Sequence, residues 1–513
     1  MKNLIVLFLL CFAASTWAQN IPSKHAFPSI AQFPELLAAA EGGDAEAQFN
    51  LGIMYRSGWG KGRDDADDKA VLWLEKAADQ GHVKAQYELG SRALYFSNDV
   101  PLDIVESEFR RAANQGFAAA QYMLGWIYQY KANPDDPQNA ELAFHWYHKA
   151  AEQGDNFSQY ILSSWYFGGL NTMTTLDTAK AVAWLRKASQ DQVYDVAQEI
   201  LDQMDKLKSR NGNYMSLTQI RKAATQGNAE AQYMLGMMYM HGWGLTAQSS
   251  YVAVHDAAEA ANWYRKAADQ GHVQAQYALA FFVDDAESTR WFRKAADQGL
   301  AAAQYQLGWI YQNGLFGETK SNNHAVSWFR KAANQGYADA QYALGEMYRT
   351  GNSVKRNEAE ATAWLRKAAD QNHGKALYRL SEMHRDNRGI PNSEGLALLR
   401  KAADQHDPEA RYALGQVYLN GWGVDKDEAQ AMALIYQAAD LGGYPAAKVD
   451  FHIAQDAFWI YQAADEGDAD AQYNLAMMYM QGRSMPKDCA QAKIWWDKAN
   501  TSRERKWEMP TCR

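Results

Sequence analysis

Several groups of residues have the types and spacings that chemistry requires, and each has a structural competitor. His384-Arg385-Asp386 has the order of a phosphoryl-transfer catalytic loop, in which the aspartate takes the proton of the attacking hydroxyl. The metal-binding asparagine of such a loop falls one place too late, at Asn392, and no glycine-rich phosphate loop precedes it. Ser484-Met485-Pro486-Lys487 has the spacing of a serine acyl-transfer pair, but it lies where related segments of the chain turn between helices, so turn chemistry explains it. His145 and His148 stand at i and i+3 on a predicted helix, a spacing that can seat a metal; without a third ligand they read as solvated histidines. The run Asp64-Asp65-Ala66-Asp67-Asp68 lacks the glycine and closing glutamate of a calcium loop and opens a predicted helix, where the helix dipole favours negative charge. His82 and His272 follow predicted helix-ending glycines and read as parts of a joint between units. The expectation is no catalytic, cofactor-binding or metal-binding residue and no enzyme activity.

The elements that would carry these residues are set by repetition. One phrase, Ala-Gln-Tyr-x-Leu-Gly-x-Met-Tyr followed by Trp-x-x-Lys-Ala-Ala-Asp-Gln-Gly, recurs along the chain, with 38 residues from Gln48 to Gln86, 35 from Gln86 to Gln121 and 37 from Gln304 to Gln341. A period in this range predicts stacked two-helix units. In the first half Ala47, Leu51, Met54 and Tyr55 share one helical face (helix A); in the second Ala70, Trp73, Leu74, Ala77 and Ala78 do the same (helix B). Gly58-Trp59-Gly60, Gly242-Trp243-Gly244 and Gly421-Trp422-Gly423 read as the turns between them, and glycines such as Gly81, Gly227 and Gly336 as the stops of helix B. Asp44, Asn228, Asp407 and Asp468 are placed to cap the next helix. The position after the helix A leucine is never larger than serine, from Gly52 and Gly236 to Ser381 and Ala476, which predicts a neighbour in the vacated space. The helix B tryptophans, including Trp146, Trp263 and Trp328, are expected to fill that seam.

These motifs, together and in order over about 44 to 500, resemble the Sel1-like repeat family, relatives of the tetratricopeptide repeat. The resemblance implies an all-α protein, a right-handed α/α superhelical solenoid of about thirteen helix-turn-helix repeats that serves as a scaffold for other proteins. The expected organisation is a signal peptide over 1–18, an N-terminal capping helix in 19–43, a first block of repeats over 44–192, a degenerate repeat at 193–226, a second block over 227–500 and a basic tail at 501–513. The signal reading rests on Lys2, the apolar run Leu4 to Ala14 and the small residues around Thr16-Trp17-Ala18, and predicts export to the periplasm or beyond. Cys489 and Cys512 remain after such processing and are candidates for one disulfide.

The chain carries 51 basic and 60 acidic residues, net −9, which disfavours nucleic acid as a partner. No segment is apolar for long enough to span a bilayer. A protein or peptide held on the concave face of the A helices is the expected partner, with Glu88, Met123, Met234, Gln306, Glu346 and Arg379 as contact positions because they vary between units. Two rival readings remain open: a β-lactam or peptidoglycan-fragment binder or enzyme of the cysteine-rich Sel1 type, carried by Ser484, and a polysaccharide binder using Trp59, Trp243 and Trp422 as exposed rings.

Overall fold

The computed structural model describes residues 33–501 except 57–62, 97–99, 132–135, 169–175, 191–194, 210, 246–254, 385–390, 442–459, 462, 465–466 and 482–486. Among these residues the chain forms twenty-five α-helices and one short π-helix, Gln437–Leu441, with no strand. It divides into two compact units, one comprising Tyr87–Trp364 and the other Met1–Gln86 with Leu365–Arg513. In both, helices alternate in the predicted A and B order, as in Ala229–His241 and Ala257–Asp269, or Pro408–Asn420 and Glu428–Tyr436.

Local chemistry sets the helix ends. Asp44, Asn228, Asp407 and Asp468 each accept from the backbone N–H three residues on, at 2.7 to 2.8 Å. Gly227, at φ 95°, stops one helix B in the left-handed region. Where glycine is replaced at this stop, Asn372 and His406 adopt φ 62° and 60°.

The small position on helix A proves to be a contact site, with a correction to its partner. A Cβ on Gly236 would stand 2.5 Å from the Tyr264 ring, and one on Gly308 would stand 2.6 Å from Phe329. The filling side chain is the residue after the helix B tryptophan. The tryptophans lie to the side of the seam, each beneath the lysine one turn later, as for Lys266 over Trp263 at 3.8 Å and Lys331 over Trp328 at 3.8 Å.

Consecutive pairs are joined by a relay of buried amides. Gln232 donates from Nε2 to the Ala224 carbonyl of the preceding helix B at 3.0 Å, and its Oε1 accepts from Gln270 of its own helix B at 2.6 Å. Gln304 repeats this with Ala296 at 3.0 Å and Gln335 at 2.8 Å, and Gln121 with Ala113 at 3.1 Å and Gln153 at 2.6 Å. The helix Phe33–Glu41 takes the role of a helix B here, because its Ala40 carbonyl receives Gln48 Nε2 at 2.9 Å. It is more than the terminal cover expected of it: the Phe33 ring meets Tyr461, near the other end of the chain and in the same unit, edge to face at 6.1 Å.

The degenerate stretch keeps a helix pair, Asp195–Lys206 and Leu217–Thr225, and the following hairpin reaches past it. Trp243 donates from Nε1 to Ser163 Oγ at 2.7 Å, Gly244 N–H donates to Ser164 Oγ at 2.8 Å, and the indole stacks on Phe167 at 4.3 Å. Next to this joint, burial pulls His241 down to about 4, with the nearby His255 adding to the effect. Twelve helix pairs are described against the roughly thirteen expected, and residues 442–459 lie outside the described residues.

Two outcomes follow from this packing. Glycine to alanine in a helix ordinarily stabilises by about 1 kcal/mol; Gly236→Ala should instead destabilise by about 1–3 kcal/mol, seen as a fall in thermal midpoint, because the fully packed Tyr264 ring must move. For His241 the unfolded chain binds a proton that the folded chain rejects, so stability present above about 6.5 is lost as pH falls toward 4. Urea titrations between pH 7 and 4 should show this loss, and His241→Gln should flatten it.

Candidate functional site

The environment of the position after the small residue of helix A changes along the array. Ile53 and Met237 are buried there, whereas Phe281 is 59% and Trp309 41% exposed in adjacent repeats. Phe281 lies in the short turn of an unusually compact hairpin, after the helix Val273–Leu279 and before the helix Asp285–Asp297.

Phe281 is seated among rings of its own repeat. Tyr277, one turn before Phe281, packs edge to face on it at 5.2 Å, and Phe292 closes the other side of Phe281 at 5.1 Å. Gln306, one turn before Trp309, stands near enough to the Tyr277 phenol to oppose the pKa rise that burial imposes. Tyr305 continues the patch against Phe329 at 5.6 Å and Tyr337 at 5.5 Å. Burial raises the phenol pKa of Tyr277, Tyr305 and Tyr337, and the Asp339 carboxylate adds to each rise, so one anion lies within electrostatic reach of all three. Nothing in this arrangement is a nucleophile paired with a base; rings, phenols and a carboxylate suit binding, not bond breaking.

The six positions expected to contact a partner divide. Gln306 lies in the patch, and Glu346 occupies the Trp309 position one repeat on, where Arg349 holds both its oxygens at 2.8 Å. Arg379 is tied to Glu382 at 2.7 Å and to Glu409 of the next repeat at 3.2 Å. Glu88, Met123 and Met234 are buried, and this corrects their assignment. They precede the leucine of helix A, a position that turns inward where the neighbouring repeat packs close; Met234 belongs to the core around Leu201 and Met204 of the degenerate pair. Phe281 and Trp309 are not among the six, because the residue after the small position varies from repeat to repeat, with another ring at Trp126, and does not single them out.

The other chemistry candidates find structural roles. His82 and His272 accept from the N–H of Ala85 and Ala275 at 3.2 Å and face Glu46 and Glu230 at 3.0 and 2.9 Å, so they are helix caps at the joints, as expected. His148 has a carboxylate neighbour after all, with Glu152 3.3 Å from Nδ1. No group of three or more His, Cys, Asp or Glu able to hold a metal occurs among the described residues. Asn392 caps a helix by accepting from the N–H of Gly395 at 2.8 Å; Arg385, Asp386, Ser484, Asp64 and Asp65 lie outside the described side chains. Trp243 is fully buried and offers no face to a sugar, which removes it from the polysaccharide reading; Trp422 is partly buried, and Trp59 lies outside the described residues. Cys489 is disulfide-bonded, and Cys512 lies outside the described residues. No described helix is long and apolar enough to cross a membrane.

Alternating helix pairs joined by amides and by small residues against rings define an α-helical repeat protein. The Sel1 repeat family model matches eleven segments, 45–82, 83–117, 118–155, 156–192, 229–272, 273–300, 301–337, 338–373, 374–407, 408–443 and 469–501, and the chain belongs to that family. Sel1 repeats are in general non-catalytic and mediate protein interaction. Among solved structures the chain is similar to a protective antigen of uropathogenic Escherichia coli strains displaying an SLR fold, at 28% identity over 91% of this chain and 86% of that one, with a TM-score of 0.39. It is also similar to a Sel1 repeat protein from Oxalobacter formigenes, at 28% identity over 67% of this chain and 88% of that one, with a TM-score of 0.40. A comparison with curated proteins returned no match.

Proposed function

We propose that this chain is an exported Sel1 repeat scaffold of the bacterial cell envelope that holds a segment of another protein on its A helices, with the Phe281–Trp309 patch as the main contact. The observation that carries the reading is the exposure of two large rings after the small position in adjacent units, where Ile53 and Met237 are buried and Glu346 and Gln416 are polar. Burying both rings contributes about 1.5–3 kcal/mol each. That is enough to make them anchors of an interface whose remaining contacts supply complementarity. Export is supported by the residues of 1–18 and by the bonded state of Cys489, which suits an oxidising compartment; Cys512 is its proposed partner.

Both parts can be measured. A Phe281→Ser, Trp309→Ser double variant should keep the thermal midpoint and helical signal of the parent and should lose at least tenfold in affinity for any protein that the parent captures from envelope extracts. An unchanged set of captured proteins would remove the patch from the interface. Mass analysis of protein recovered from the envelope should find the chain beginning at Gln19 with Cys489 and Cys512 in one linked peptide pair. An intact N-terminus in a cytoplasmic fraction counts against export.

A further inference from the structure

In an open stack of repeats each unit touches only its neighbours, so the two terminal units have one neighbour each and fray first. This chain departs from that rule. One buried cluster holds residues from both ends, with Phe33, Leu51 and Trp73 from one and Tyr461, Leu475 and Trp495 from the other, all in the same compact unit. The rings that join them run in series: Phe33 stands edge to face on Tyr461 at 6.1 Å, and Tyr461 edge to face on Trp495 at 5.6 Å. Phe33 is 2% and Tyr461 8% exposed, so the joint is interior.

The helix Phe33–Glu41 therefore has two attachments. Its last turn is held by the first repeat, where the Ala40 carbonyl accepts from Gln48 Nε2 at 2.9 Å. Its first residue, Phe33, is seated against the far end of the chain. The relay glutamines on the two sides spend their Nε2 groups within their own halves, Gln48 on Ala40 and Gln472 on Ala464 at 2.9 Å each, so neither spans the joint. Ring contact stands here in the place that the amide relay takes between consecutive pairs. Two rings separate without leaving a buried polar atom unmet, whereas a slipped amide joint strands one. We infer that the helix Phe33–Glu41 is a latch that gives each end of the chain its missing second neighbour, so that the first repeat and the repeat over 469–501 open and close together. Through it, anything that engages one terminal repeat biases the other, because coupling between two sites is reciprocal.

Hydrogen exchange of the full chain, read by mass spectrometry, tests this. Phe33→Leu keeps an apolar side chain and removes the ring. Exchange should then quicken about fivefold in Ala469–Gln481 and Cys489–Thr501 as well as in Phe33–Glu41, the size expected for one edge-to-face pair. Helices of the other unit, such as Ala301–Asn313, should exchange as in the parent, which excludes general unfolding as the cause. Tyr461→Leu should act in the opposite direction along the chain, quickening Phe33–Glu41 and Ala45–Arg56. The double variant should go no further than either single change, because the ring pair is lost only once. If Phe33→Leu quickens exchange only in Phe33–Glu41 and the adjoining Ala45–Arg56, the helix is a local cover and the inference fails. It fails equally if Tyr461→Leu leaves Phe33–Glu41 unchanged, or if the two substitutions act additively.

Discussion

A buried side-chain amide has to satisfy both its donor and its acceptor, and in this chain that requirement fixes how one helix pair sits on the next. Gln232, Gln276 and Gln304 each give a hydrogen bond backward to a main-chain carbonyl and take one from the glutamine that closes their own pair. A slip of either helix by one residue would strand at least one of these groups, at about 1–3 kcal/mol per unmet buried polar atom. Apolar packing alone tolerates small slides of one helix against another, so the amides supply the register that the rings and small residues then fill.

Where the relay is interrupted, the atoms record it. Gln159 still donates to the Ala151 carbonyl at 3.1 Å, yet its Oε1 has no partner, because Asp191 stands where other repeats carry the closing glutamine. Gln472 shows the same unmet oxygen in the last repeat, where Ser502 takes that place. The first interruption directly precedes the degenerate pair, and there a different device takes over, with Trp243 and Gly244 bonding to Ser163 and Ser164 across 80 residues of sequence. Arg411 offers a third solution by extending Nε to the Ala403 carbonyl at 3.3 Å in place of glutamine.

Most of the fold could be read from sequence because its determinants are local and repeated. Helix faces, aspartate caps, stopping glycines and the small seam position each depend on residues within one unit. Legibility declined where a side chain's surroundings come from another repeat. The indole of Trp243 looks like an ordinary turn residue until Ser163 and Phe167 are seen to enclose it. Met234 varies between repeats as a surface residue would, but the degenerate pair packs over it. The seam was assigned to the tryptophans because they are the largest regular residues, whereas the vacated space receives the next side chain round the helix, Tyr264 or Phe329. Of the residues in the proposed contact patch, only Gln306 is among the positions that the sequence suggests. Phe281 and Trp309 sit at a place where size and polarity vary without pattern, and their exposure depends on what neighbouring repeats leave uncovered.

The amide relay also bears on how such a chain changes length. Each standard unit presents a carbonyl-seeking glutamine on one side and, on the other, a backbone carbonyl able to accept a second hydrogen bond, so the two ends of any unit are chemical complements. A duplicated or deleted unit leaves behind a joint of the same composition, with every polar group matched. Growth in whole modules therefore carries no penalty at the new boundary, whereas gain or loss of part of a unit strands an amide in the interior. The 28-residue span 273–300 shows where shortening is tolerated: the inter-helix turn is cut to residues 280–284, while Gln276 and Gln298 keep their bond at 2.7 Å.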